Sequence, residues 1–103
     1  MLPKRKRLDK TLFQEIMNKG VIIHSPFFIF RYLKQKTPQY AFVAPKTFVK
    51  SGVLRNKLRR KGYNVLKTVD LPLCAGIFFY KKEGLQDKNL DFKGDILNIL
   101  KKI

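Results

Sequence analysis

The segment 50–67 constrains the fold most, because it combines a helical apolar stripe with a dense run of cations. Ser51 is suited to cap a helix, since its hydroxyl can accept a hydrogen bond from a free N–H group of the first turn. Apolar residues then recur close to the helical period of about 3.6. They are Leu54, Leu58, Val65, Leu66 and Val69. Gly62 falls on this stripe and would allow another backbone to approach the predicted helix closely.

The other faces of this helix are predicted to bind a polyanion. They carry Arg55, Asn56, Lys57, Arg59, Arg60 and Lys61. Like charges four residues apart repel one another. No carboxylate lies between Glu15 and Asp70 to relieve the repulsion, whereas twelve lysines and arginines lie in that interval. Guanidinium groups are suited to bidentate contact with phosphate. A charged face that is merely solvated is the alternative.

The composition predicts one basic domain over residues 1–103. A chain of 103 residues that is 45% hydrophobic can bury a modest core. Its 23 Lys and Arg against 7 Asp and Glu give a net charge of +16, which favours RNA or DNA as partner over an anionic membrane. Residues 1–7 are expected to form a basic arm that either contacts phosphate or acts as a solubilising tail.

Three features that the sequence lacks indicate where the protein is located. The lone Cys74 cannot form an internal disulfide, which suits a reducing cytoplasm. No apolar run approaches the roughly 18 residues of a membrane span. No apolar segment follows the basic residues 4–7, as it would in a signal peptide. We expect a cytoplasmic protein that makes no membrane contact and is a monomer.

The hydrophobic periodicity predicts an α+β fold with the order α-β-β-β-α-β-α, in which helices pack on one mixed sheet. The flanking helices are predicted at Lys10–Lys19 and Phe92–Ile103. Strands are predicted at Val21–Ile23, Phe27–Leu33, Tyr40–Ala44 and Leu73–Tyr80, with a polar loop over Lys81–Lys88. The second and third strands are expected to form an antiparallel hairpin. The fourth is apolar almost throughout and is expected to be central.

Residues suited to protein-based hydrolysis are scarce. His24 is the one histidine and lies beside a Ser-Pro turn, where an ordinary surface role explains it. Asp91 and Asp95 are four residues apart without partner ligands, and no His/Cys metal spacing occurs. The sequence therefore indicates binding without catalytic residues, metal or tightly bound cofactor. Aromatic residues of Phe27–Leu33, together with Phe13, either stack on unpaired bases or belong to the core, and the core is favoured for most of them.

The segment Arg55-Asn56-Lys57-Leu58-Arg59-Arg60 resembles the Arg-Asn-Arg signature helix of the bacterial ribonuclease P protein component. The preceding residues agree in order with that family. Arg7-Leu8, Phe13 and Gly20 have its opening spacing, Val43–Lys46 resembles its Val-Ser-Lys-Lys segment, and Lys50–Val53 resembles its Lys-Ala-Val lead into the helix. The similarity extends over about residues 7–100.

The resemblance implies a fold like the second domain of ribosomal protein S5, with a left-handed βαβ crossover. It also implies the small protein subunit of a ribonucleoprotein that removes the 5′ leader from precursor tRNA. In that family the RNA subunit performs the hydrolysis with Mg²⁺. The protein binds the catalytic RNA through the signature helix and holds the leader in a cleft between the first helix and the sheet.

Residue by residue, the resemblance implies two sets of contacts. The polar residues of the signature helix would contact the catalytic RNA. They are Arg55, Asn56, Lys57, Arg59, Arg60 and Lys61. The leader would be bound by Phe13, Met17, Phe27, Arg31, Lys46 and Lys50. On the second strand, the cleft face is expected to be Phe27, Ile29 and Arg31, although a register slip of one residue would exchange the two faces.

Three departures from the family pattern are visible. Pro45 replaces the first Lys of the Lys-Lys pair, Lys57 replaces the second signature Arg, and Gly62-Tyr63 stands where Leu-Arg is usual. Phosphate contact should survive the lysine, but bidentate geometry is lost with it. The alternatives are another RNA-binding module of the same fold, such as a ribosomal protein or RNA chaperone, then a DNA-binding helix protein, and last a protein nuclease.

Overall fold

A computed structural model describes residues 10–86 and 91–103 of the chain. Its elements are α1 (Lys10–Lys19), β1 (Val21–His24), β2 (Phe28–Lys34), β3 (Gln39–Val43), α2 (Gly52–Leu66), β4 (Cys74–Tyr80), α3 (Lys82–Gln86) and α4 (Phe92–Lys101). The predicted α+β order is confirmed, with α3 as an addition. The predicted basic arm over 1–7 and the last part of the predicted polar loop lie outside the described residues.

The helix ends follow the local signals in the sequence. Ser51 caps α2, and its hydroxyl accepts a hydrogen bond from Leu54 N at 3.3 Å. Gly20 N donates to Ile16 O at 2.8 Å and ends α1 where it was predicted to end. The short α3 replaces part of the predicted loop because Leu85 packs on the core. Gly84 lies against the backbone of Pro26 and Phe27, where a Cβ would come within 2.6 Å of Phe27 Cα.

The sheet has the strand order β1-β2-β4-β3, so β4 is central as predicted. The predicted β2–β3 hairpin is wrong, because β4 lies between these strands, antiparallel to β2 and parallel to β3. The physical reason is that β4 is apolar on both faces and is buried almost throughout. The 35–38 turn passes the start of β4, where Gln35 N donates to Leu73 O at 3.3 Å. The β3–α2–β4 crossover joins neighbouring parallel strands, and its left-handed sense stays a prediction.

The two faces of the sheet carry different helices. On one face, α2 and α4 cover a core made largely of rings. Its sheet residues include Phe28, Phe30, Tyr40, Phe42 and Phe78. On the other face, α1 inserts the fully buried Ile16 against Ala75 and Ile77. The alternation expected along β2 is confirmed, since Phe28, Phe30 and Tyr32 are buried while the residues between them are half-buried.

The predicted stripe of α2 is only partly buried. Its second half enters the core through Gly62, Tyr63 and Leu66. Leu54, in the first turn, remains 46% exposed, so the apolar stripe is not buried along its whole length. The expected close approach at Gly62 is made by a ring and not by a backbone. A Cβ there would lie 2.6 Å from Phe42 Cζ, so only glycine lets this ring pack against the helix.

Candidate RNA-binding surfaces

Helix α2 is fixed to the sheet by contacts of its inner face, which leaves its outer face free for binding. Tyr80 Oη donates to Leu58 O at 2.6 Å. Burial raises the pKa of the Tyr80 hydroxyl, so this group remains a donor at neutral pH. The rings of Phe42 and Tyr63 meet edge to face at 5.2 Å. The orientation of the cationic side chains is therefore determined by packing in the core.

The cations of α2 interact with neutral groups. Arg55 Nη1 donates to Val49 O at 2.9 Å and to Lys50 O at 3.1 Å, which folds this side chain back over the preceding loop. Arg59 Nη1 donates to Asn56 Oδ1 at 3.4 Å. Since an arginine has five N–H donors, both guanidinium groups retain donors for phosphate. Lys57 is exposed, as is Arg60.

Lys61 is placed differently from the other residues of the predicted RNA face. Its Nζ lies 4.5 Å from the centroid of the Phe92 ring, over the first turn of α4. A cation over an aromatic face is attracted by about 0.5–1 kcal/mol when the pair is exposed. The structure therefore directs Lys61 toward α4, whereas Asn56 and Arg59 lie on the side of α2 next to β3.

A groove lies between the end of β3 and the start of α2, and we call it the β3–α2 groove. Its volume is about 760 Å³. It is lined by Phe42, Val43, Ala44, Pro45, Lys46, Gly52, Val53, Arg55, Asn56 and Arg59. Lys46, predicted for the leader, lies here, on the same groove as three residues predicted for the catalytic RNA.

A second concavity, the α1 cleft, lies beside α1 on the opposite face of the sheet. Its volume is about 440 Å³. It is lined by Met17, Ile29, Arg31, Pro45, Thr47, Phe48, Phe79, Tyr80, Lys81, Lys82 and Glu83. Phe13 reaches its wall, since its ring contacts Phe79 edge to face at 6.4 Å. The structure thus brings together Phe13, Met17 and Arg31 as the sequence predicted.

Arg31 also links the last turn of α1 to the sheet. Its Nη1 donates to Met17 O at 3.1 Å, one of the carbonyl groups in the last turn of α1. Such carbonyls have no partner within the helix, and a cation there is favoured by the helix dipole. Arg31 therefore holds α1 and β2 together along the α1 cleft.

Two predicted leader contacts lie elsewhere. Phe27 is only 7% exposed and packs edge to face on Phe92 at 5.4 Å, so the prediction that it lines the cleft is wrong. The reason is that β2 starts at Phe28, and the bend before it breaks the strand alternation. Lys50 is exposed before the cap of α2 and lies outside the described lining of both concavities.

Four further residues line the α1 cleft although the sequence did not indicate them as site residues. They are Phe48, Phe79, Lys81 and Lys82. Phe79 lies in a strand that is apolar on both faces. Its sequence therefore shows no alternation of polar and apolar residues that would assign Phe79 to one face. Its register opposite Ile29 places it on the cleft side of the sheet. The position of Lys81 and Lys82 directly after the central strand was an available signal, because side chains there lie at the edge of the sheet.

The described residues contain no cluster of three His, Cys, Asp or Glu side chains that could hold a metal ion. Asp91 caps α4 by accepting from Gly94 N at 3.0 Å. Asp95 is 9% exposed and accepts hydrogen bonds from Ser25 Oγ at 2.8 Å and Phe27 N at 3.0 Å. Both carboxylates therefore stabilise the fold. Within residues 10–86 and 91–103, no helix is long and apolar enough to cross a membrane.

A basic α+β domain with a cationic helix face and an adjoining aromatic cleft defines an RNA-binding class of protein. A sequence model of the Ribonuclease P family matches residues 2–103, and the chain belongs to this family. Among solved structures, the RNase P protein from Thermotoga maritima is similar with a TM-score of 0.79 and 23% identity, over 96% of this chain and 98% of that chain.

The RNase P protein of Staphylococcus aureus has a similar fold, with a TM-score of 0.80 and 19% identity over 96% of this chain and 95% of that one. A mutant of the S. aureus protein with defective mRNA degradation activity gives a TM-score of 0.82 at 20% identity, over 96% and 88% of the two chains. At these identities the structural likeness supports the fold. Comparison with curated proteins finds no match.

Proposed function

We propose that this chain is the protein subunit of a bacterial ribonuclease P, which promotes maturation of the 5′ end of tRNA. The outer face of α2 binds the catalytic RNA, and the α1 cleft binds the single-stranded leader of precursor tRNA. The RNA subunit performs the hydrolysis with Mg²⁺, and the protein acts as a monomer in the cytoplasm without a metal of its own.

The observation that carries the proposal is the adjacency of the two concavities, because Pro45 lines both of them. Aromatic and aliphatic side chains line the α1 cleft with Arg31, Lys81 and Lys82, which suits stacked bases and their phosphates. The cationic side chains of α2 suit a folded RNA, whose phosphates dominate affinity. One chain can therefore hold both RNAs side by side.

Reconstitution with a cognate catalytic RNA tests the proposal. The chain should restore cleavage of precursor tRNA at low Mg²⁺ concentration, where the RNA alone is slow. The affinity of the holoenzyme for precursor tRNA should exceed that for mature tRNA, and Phe79→Ala should reduce this ratio about tenfold, since one base–aromatic contact is worth about 1–3 kcal/mol.

Leu73→Ala is the matched control, because Leu73 is exposed and lies before β4, outside the described lining of both concavities. This variant should change neither the ratio of the affinities for precursor and mature tRNA nor the rate of precursor cleavage. A wild-type chain that gives no stimulation of a competent RNA would refute the subunit role, and cleavage by the protein alone would refute the binding-only mechanism.

A further inference from the structure

The first turn of α2 presents an apolar surface that the fold does not use. Val53 is 77% exposed, and Leu54 beside it is 46% exposed. Single exposed apolar residues are common, but Val53 lines a groove together with Ala44 and Pro45. The side of the groove formed by β3 is therefore apolar, and Val53 extends that apolar surface onto α2.

The polar groups of the β3–α2 groove are complementary to a nucleotide. Lys46, Arg55 and Arg59 provide cations, and no carboxylate belongs to the described lining. The amide of Asn56 carries both donors and an acceptor, the combination that pairs with the edge of a base. The volume of about 760 Å³ lies within the range of about 300–1,000 Å³ that small-ligand sites have.

Gly52 keeps the groove open at the start of α2. A Cβ built there would meet only Arg55 Nη2, at 3.6 Å, so the space beside the helix start is unfilled. An apolar slot with cations at its rim fits a base that has left its stack, since such bases are held between apolar or aromatic side chains.

We infer that the β3–α2 groove holds one unpaired nucleotide of the catalytic RNA, with its base against Val53 and Pro45. Its phosphate contacts Lys46 and Arg59, and Asn56 pairs with the base edge. The inference rests on the proposed function and deepens it. The catalytic RNA is the occupant because five of the lining residues belong to α2, and three of these belong to the proposed RNA face, which makes the groove continuous with that face.

Site-directed photocrosslinking tests the inference. The only native thiol, Cys74, is fully buried, so an aryl azide reagent will label the Val53→Cys variant at the new position. At protein concentrations high enough to offset weaker RNA binding, the labelled variant in the holoenzyme should crosslink to one unpaired nucleotide of the catalytic RNA. Leu73→Cys is the control, 59% exposed near the start of β4, and should give no such product.

Binding measurements supply an independent readout. Val53→Ser should weaken catalytic-RNA binding about tenfold, the factor expected for losing one buried valine-sized contact, and leave the log–log salt slope unchanged. Arg59→Ala should lower that slope by about one unit.

Crosslinks to base-paired RNA, to the leader or to a second copy of the chain would overturn the inference while leaving the subunit role intact. Unchanged affinity in Val53→Ser would overturn it equally. If wild-type protein failed to bind the catalytic RNA, the proposed function and the inference would both be refuted.

Discussion

Replacing Gly62 with alanine tests the packing of α2, because helix propensity and overpacking change the free energy of unfolding in opposite directions there. In an open helix, Gly→Ala stabilises by about 1 kcal/mol. In this chain the new methyl group would lie 2.6 Å from Phe42 Cζ, and the ring is itself packed edge to face on Tyr63. Overpacking costs about 1–3 kcal/mol, and a methyl group within 2.6 Å of three ring atoms belongs to the upper part of that range, about 2–3 kcal/mol. We expect Gly62→Ala to destabilise the chain by about 1–2 kcal/mol net.

Thermal unfolding followed by circular dichroism measures the effect. For a domain of this size, about 1–2 kcal/mol lowers Tm by about 5–15 °C. Gly52→Ala is the matched control, since its Cβ would make only an ordinary contact of 3.6 Å with Arg55 Nη2, and it should leave Tm unchanged or raise it slightly. A higher Tm for Gly62→Ala would refute the packing of Phe42 against α2.

Three further predictions concern other contacts. Asp95→Ala should destabilise by about 1–3 kcal/mol in urea unfolding, because Phe27 N loses its acceptor and Ser25 Oγ keeps only Phe28 O at 3.2 Å; an unaffected midpoint would contradict this. Arg59→Ala should lower the salt slope of RNA binding more than Lys61→Ala does, because Lys61 lies over Phe92; equal slopes would place Lys61 on the RNA. Burial raises the pKa of the Cys74 thiol in the folded chain. As pH rises above about 8.5, this thiol therefore loses its proton in the unfolded chain before it does so in the folded chain. The free energy of unfolding should therefore decrease as pH rises further. Urea titrations at several pH values should show a smaller decrease for Cys74→Ser than for the wild-type chain.

Local signals predicted the helices well, because they depend on neighbours in the sequence. The cap at Ser51 and the stop at Gly20 needed no tertiary information. The α3 helix was missed since its stability comes from Leu85 on the core and from Gly84 beneath the Pro26–Phe27 turn. Neither contact is visible in a sequence window.

Strand pairing was harder to predict because it is decided between distant segments. A short turn between β2 and β3 favours a hairpin, but the burial of β4 on both faces placed it between them. The candidate residues of the α1 cleft followed the same rule. The family resemblance indicated Phe13 and Arg31, whereas the position of Phe79 depends on its register opposite Ile29. The position of Lys61 over Phe92 depends on α4, so the sequence of α2 alone could not indicate it.

Pro45 has a mechanical consequence for the spacing of the β3–α2 groove and the α1 cleft. It lines both concavities, and its ring fixes the backbone φ near about −65°. The backbone accepts two hydrogen bonds at its carbonyl, from Phe48 N at 3.4 Å and Val49 N at 3.0 Å. The partition between the two concavities is thus a stiff spacer that keeps the distance between them fixed.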